Sequence, residues 1–101
     1  MELRTTHPFV GRHVIARCSG AGVHAGTLAA VSNDGTCVVL QNARRLWKWH
    51  ARAGVALSGV AVHGIIAEDS VLDTPVSEIY LTGVVELIPT TPESESSINE
   101  A

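Results

Sequence analysis

His24-Ala25-Gly26-Thr27-Leu28-Ala29-Ala30-Val31 is followed by Ser32-Asn33-Asp34-Gly35 and then by Cys37-Val38-Val39-Leu40-Gln41, and this succession decides the fold. Asn and Asp tolerate left-handed backbone and glycine adopts it without steric cost, so Asn33-Asp34-Gly35 is the strongest turn signal in the chain. The β-branched and apolar runs on either side then read as two antiparallel strands of one hairpin. Gly26, inside the first run, marks a bulge or a close backbone approach.

Upstream, residues 10–18 read VGRHVIARC. Strand periodicity places Val14, Ala16 and Cys18 on one face and His13, Ile15 and Arg17 on the other. Ser19-Gly20-Ala21-Gly22 is the turn into the hairpin. Residues 1–9 are polar apart from Met1, Leu3 and Phe9, contain Pro8, and read as an N-terminal arm, with His7 and His13 at the surface.

Downstream, residues 42–50 read NARRLWKWH. As a strand they set Ala43, Arg45, Trp47 and Trp49 on one face and Arg44, Leu46, Lys48 and His50 on the other; as a helix, Arg44, Trp47 and Lys48 would group. Two aromatics at alternate positions favour the strand. In residues 55–66, Leu57, Val60, Ala61 and Gly64 fit a short helical stripe, weakened by Gly59 and Gly64. Residues 71–74 are extended up to Pro75, and two further strands, 78–82 and 84–88, flank Gly83. Residues 90–101 are acidic and Ser-rich, a composition expected to give a flexible tail. The fold expected is mainly β (α+β): a small antiparallel sheet or partly open barrel of about five strands with one short helix. It occupies residues 10–89 as a single domain.

The chain has 101 residues, 46% of them hydrophobic and 17% charged, with a net charge of −3, which is the composition of a globular domain with no general attraction to nucleic acid or acidic membranes. The low charge content fits either a well-filled core or apolar surface shared in a homo-oligomer. Charge is unevenly placed. Arg44, Arg45, Lys48 and Arg52 cluster mid-chain, while Glu68, Asp69, Asp73, Glu78, Glu86, Glu93, Glu95 and Glu100 follow. Either the two groups pair with each other or the basic one is a site. Cys18 and Cys37 have neither metal-ligand spacing nor a disulfide framework. No secretory leader pattern and no apolar run approaching the ~18 residues of a membrane span is present, so a cytosolic setting with reduced thiols is expected.

No catalytic constellation is legible. The serines lie in turns or the tail without a nucleophile elbow, and Gly20-Ala21-Gly22 is too short for a phosphate loop. His24, His50 and His63 lack metal-ligand spacing, so neither a metal nor a cofactor is expected. The basic–aromatic stretch differs. Arg44 and Arg45 offer planar forks that match phosphate or carboxylate, and Lys48 adds a point charge. Trp47 and Trp49 offer faces on which a base can stack, or else fill the core while the arginines reach outward. His24 is a satisfied structural residue or lines a pocket.

Ser19-x-Ala21-Gly22-Val23-His24-x-Gly26-x-Leu28, then Val38-Val39-Leu40-x-Asn42-Ala43-Arg44-Arg45-Leu46-Trp47-x-Trp49, then Pro75-Val76-x-Glu78-Ile79-x-Leu81-Thr82 and Glu86-Leu87-Ile88-Pro89 resemble the pattern of a family of small uncharacterised bacteriophage and prophage proteins. The departure is at His50-Ala51-Arg52-Ala53-Gly54, where that family carries a shorter polar connection; it bears on the helix and not on the sheet. The resemblance implies a phage context, hence the host cytoplasm, and carries no activity or catalytic residue. In that context the residues suggest a non-enzymatic host-defence antagonist. It would sequester a nucleotide-like anion in an Arg/Trp-lined pocket of a homo-oligomer, with Arg44 and Arg45 on phosphate, Trp47 or Trp49 on a base, and His24 and Lys48 beside them. The alternatives are a protein-interaction module, in which the same residues are hot spots, and a single-stranded nucleic-acid binder, which the acidic balance disfavours.

Overall fold

In the computed structural model, which describes residues 2–101, seven antiparallel strands form one sheet and two helices cover part of it. The strands are β1 (Leu3–Arg4), β2 (His13–Cys18), β3 (Gly22–Ser32), β4 (Val38–Lys48), β5 (Val71–Leu72), β6 (Val76–Leu81) and β7 (Val84–Pro89). The helices are α1 (Leu57–His63) and α2 (Pro92–Glu100). Five strands have full length, and β1 and β5 are two-residue extensions. The expected hairpin is the centre of the sheet: β3 and β4 pair along their length, and Gly35 takes a φ of 79° in the turn between them. The hairpin's second strand and the segment 42–50, read separately from the sequence, are largely one strand.

β2 and then β1 lie along one edge of β3, while β6 and then β5 lie along the outer edge of β4. β7 lies on the far side of β2. β6 and β7 run in the same direction and are separated only by Thr82 and Gly83. They form one ribbon whose first half pairs with β4 and whose second half pairs with β2. Gly83, at a φ of 70°, makes the bend. There Gly83 accepts from the Ser19 amide at 2.9 Å, and the Val84 amide donates to Thr36 O at 2.9 Å. The ribbon draws the two sides of the sheet together, so the sheet curls into a partly open barrel.

The period-2 alternation of β2 holds as expected. Val14, Ala16 and Cys18 join Leu28, Val31, Val38, Leu40, Ala43, Leu81 and Val84 inside the curl. Ile15 points the other way, into a second cluster with Ala25, Leu46, Leu57, Val60, Ala61, Ile65 and Ile98, under the helices. β2 is therefore buried on both faces. α1 buries the predicted Leu57, Val60 and Ala61 and ends at Gly64, whose φ of 89° suits glycine.

The acidic tail is not a loose end. Residues 92–100 form α2, with Thr91 as the capping residue (its Oγ1 accepts from the Ser94 amide at 3.1 Å), Pro92 in the first turn, and Glu93 and Glu95 near the positive end of the helix dipole. The sequence hides this because the buried residues are mostly polar. Ser94 Oγ donates to Val60 O at 2.6 Å, Ser97 Oγ accepts from the Ile65 amide at 3.1 Å, and Thr91 Oγ1 donates to Val62 O at 2.8 Å. Only Ile98 brings a fully buried apolar side chain. The N-terminal arm is likewise tied down: β1 pairs with β3, and Phe9 packs against the barrel interior. His13, expected at the surface, is buried beside Thr90.

Candidate functional site

The basic–aromatic stretch lies on the second half of β4, and two bulges decide where its side chains go. The first is at Asn42, which takes a left-handed φ of 52° where the register of β3 with β4 shifts. Asn tolerates that conformation better than most residues. Opposite it, Gly26 has no room for a side chain: a Cβ there would lie 2.9 Å from Gln41 O and 3.1 Å from the Ala43 Cα. This is the close approach its sequence position suggested. The second bulge is at Trp47, where Leu46 pairs with Leu72 but Lys48 pairs with Val71.

The extra residue at Trp47 breaks the alternation expected from the sequence. Trp49 falls on the helix side with Leu46, not with Arg45 and Trp47. It is half-buried and lines a groove of about 360 Å³ with Arg17, Val23, Leu57 and Glu86. Arg44 also points to the helix side. Its Nε donates to Asp73 O at 2.9 Å, and its Nη1 donates to Ile98 O at 3.0 Å and Ala101 O at 2.7 Å. Arg44 thus closes the C-terminal end of α2, where cations complement the exposed carbonyls. It is a structural fastener in this conformation, not a ready phosphate clamp.

Arg45 takes the opposite side. It lines a cleft of about 150 Å³ with His24, Ala43, Asp73, Thr74, Val76 and Ile79. His24 is 1% exposed, and its Nε2 donates to Ala21 O at 2.9 Å. Burial lowers its pKa; the bond to Ala21 opposes this, and the Arg45 charge lowers it further. The imidazole is therefore neutral at physiological pH, with its lone pair on Nδ1. Trp47 is 74% exposed. Arg45 and Lys48 are exposed as well. Among the described residues the ion pairs are Arg4–Glu2 and Arg17–Glu86, so neither Arg45 nor Lys48 is in an ion pair, although Asp73 lines the same cleft as Arg45.

Of the expected site residues, His24 and Arg45 are brought together. Trp47 and Lys48 stand beside them on the outer surface, and Arg44 and Trp49 are withdrawn to the helix side. Asp73, Thr74, Val76 and Ile79 complete the cleft and carried no sequence signal, because their place depends on the pairing of β6 with β4. Among the described residues no group of three or more His, Cys, Asp or Glu side chains is placed to hold a metal ion. No helix is long and apolar enough to cross a membrane.

A curled antiparallel sheet with a helical cover on one side, and an exposed basic–aromatic strip on its central strand, is the class this geometry defines. Residues 11–98 match the model of a family described as a domain of unknown function, DUF6948, and the chain belongs to that family. Comparison with curated proteins and with solved structures returned no match.

Proposed function

We propose that this chain is a non-enzymatic binding domain whose contact surface is the strip Arg45–Trp47–Lys48, and that it engages an acidic surface of another protein. The observation that carries this reading is Trp47, a large apolar side chain 74% exposed between two cations that have no ion pair. Trp and Arg are the residue types that dominate binding energy at protein interfaces. The resemblance to phage proteins makes a host protein, such as a defence factor in the host cytoplasm, the natural partner. The test is capture from host lysate with the full chain, followed by Trp47→Ala and Arg45→Ala. A stoichiometric partner lost by both variants supports the reading; a partner retained by both overturns it.

A second reading has its own support in the Arg45–His24 cleft: sequestration of a nucleotide-like anion. At about 150 Å³ the cleft is below the ~300–1,000 Å³ usual for small-molecule sites. It takes a phosphate-sized group, so a whole nucleotide requires walls from a second copy. Titration calorimetry against cyclic and linear nucleotides tests this, and absence of heat at high micromolar ligand with folded protein ends it.

A further inference from the structure

β6 pairs with β4 in an unshifted register from Val76 to Leu81. Its other edge pairs with no strand among the described residues. Natural edge strands are commonly blunted by lysine, internal proline or a bulge. β6 has none of these between residues 76 and 81, and Glu78 is its only charge. The other outer strand, β7, is better protected: it ends in Pro89, its register with β2 is shifted, and Glu86 is tied to Arg17 at 3.0 Å. On β6 itself Val76 is 44% exposed and Tyr80 51%, and Val71 on neighbouring β5 is 50% exposed; β7 exposes Val85 at 56%.

We propose that the β6 edge pairs with the β6 edge of a second copy of this chain, giving a two-fold dimer with one continuous sheet. Charge excludes one register, and the dimer takes the one centred on Ile79. A two-fold axis perpendicular to the sheet keeps every side chain on its own face, so paired positions must be equal or differ by an even number. Centring the axis on Glu78 would oppose two carboxylates, which is unfavourable. Centring it on Ile79 sets Glu78 opposite the partner's Tyr80 and Ser77 opposite the partner's Leu81. Leu81 lies beside Val38, just past the turn that carries Asp34. Antiparallel pairing therefore turns the Asp34 end of each copy toward the end of the other that holds unpaired Arg45. The partner's Thr82 comes beside Val76, at the rim of the Arg45–His24 cleft. The second copy thus supplies an additional wall for that cleft. The dimer does not depend on any ligand or on Trp47, so edge variants and strip variants report separately.

Sedimentation velocity of the full chain from low micromolar to near-millimolar concentration tests the proposal. The wild type is expected to shift from monomer to dimer. Tyr80→Glu places a carboxylate opposite the partner's Glu78 twice per dimer and should weaken association about tenfold or more. Adding Glu78→Lys to Tyr80→Glu makes both pairs attractive and should restore it. Should Tyr80→Glu fail to fold, amide exchange of the wild type serves instead: alternate amides of residues 76–81 should slow as concentration rises. A wild type that stays monomeric throughout, a dimer indifferent to Tyr80→Glu, or β6 amides indifferent to concentration overturns the proposal.

Discussion

Arg44 and Arg45 are neighbours in the chain and opposites in the structure. Arg44 bonds three main-chain oxygens and fastens α2; Arg45 faces a cleft with no ion pair. The same division runs through the rest of the stretch. Leu46 and Trp49 serve the helix-side cluster, while Trp47 and Lys48 serve the surface. Residue type alone therefore did not assign role: one arginine and one tryptophan went to each side. A strand's alternation made the first separation, and the bulge at Trp47 made the second.

The largest break in this division comes from removing what the helix side holds. Ile98→Ala should cost ~2–5 kcal/mol, because the side chain is fully buried and α2 has no other buried apolar side chain. Chemical denaturation reads it, and a change below 1 kcal/mol would show that α2 contributes little. Next, Trp49→Ala should cost about 2 kcal/mol, less than a fully buried Trp, whereas Trp47→Ala should stay within about 0.5 kcal/mol. Equal costs would erase the distinction between the two tryptophans. Arg44→Ala should cost ~1–3 kcal/mol and speed amide exchange in α2, while Arg45→Ala should leave stability unchanged and reduce binding. Exchange in α2 that ignores Arg44→Ala would deny the fastener.

The smallest expected effect is on pH. Thr90 Oγ1 donates to His13 O at 3.1 Å, so it accepts from His13 Nδ1–H at 2.7 Å, and the lone pair sits on Nε2, which is buried without a hydrogen-bond partner. Burial lowers the His13 pKa below its ordinary 6.5, opposed in part by Glu95. The unfolded chain then takes up the proton first. Stability should be full above about pH 6.5, fall as pH drops below that value, and level off once the folded state is protonated. His24 is shifted the same way. His13→Gln should flatten the slope between pH 7 and 5 without abolishing it; an unchanged slope would remove His13 from the account.

Much of the sheet was legible from the sequence because its causes are local. The turn at Asn33-Asp34-Gly35, the alternation of β2 and the bend at Gly83 each follow from a few neighbouring residues. The side taken by Trp49 was not legible, since it depends on how β5 meets β4 across a separation that periodicity does not see. α2 was missed because hydroxyls bonded to α1 carbonyls replace the apolar stripe that announces a helix. For the candidate site, residue types singled out one strand. They could not show that Arg44 was already occupied by the end of α2, or that His24 and Arg45 would share a cleft.

β2 takes its two strand neighbours from very different parts of the chain. β3 follows it directly, but Arg17 meets Glu86 across a separation of 69 residues. During synthesis the strand buried on both faces must wait for almost the whole chain before its second partner exists. Closing so long a loop is entropically costly before any contact rewards it. The barrel should therefore form late and slowly, with the β3–β4 hairpin present first and the edge of β2 open until the ribbon bent at Gly83 arrives.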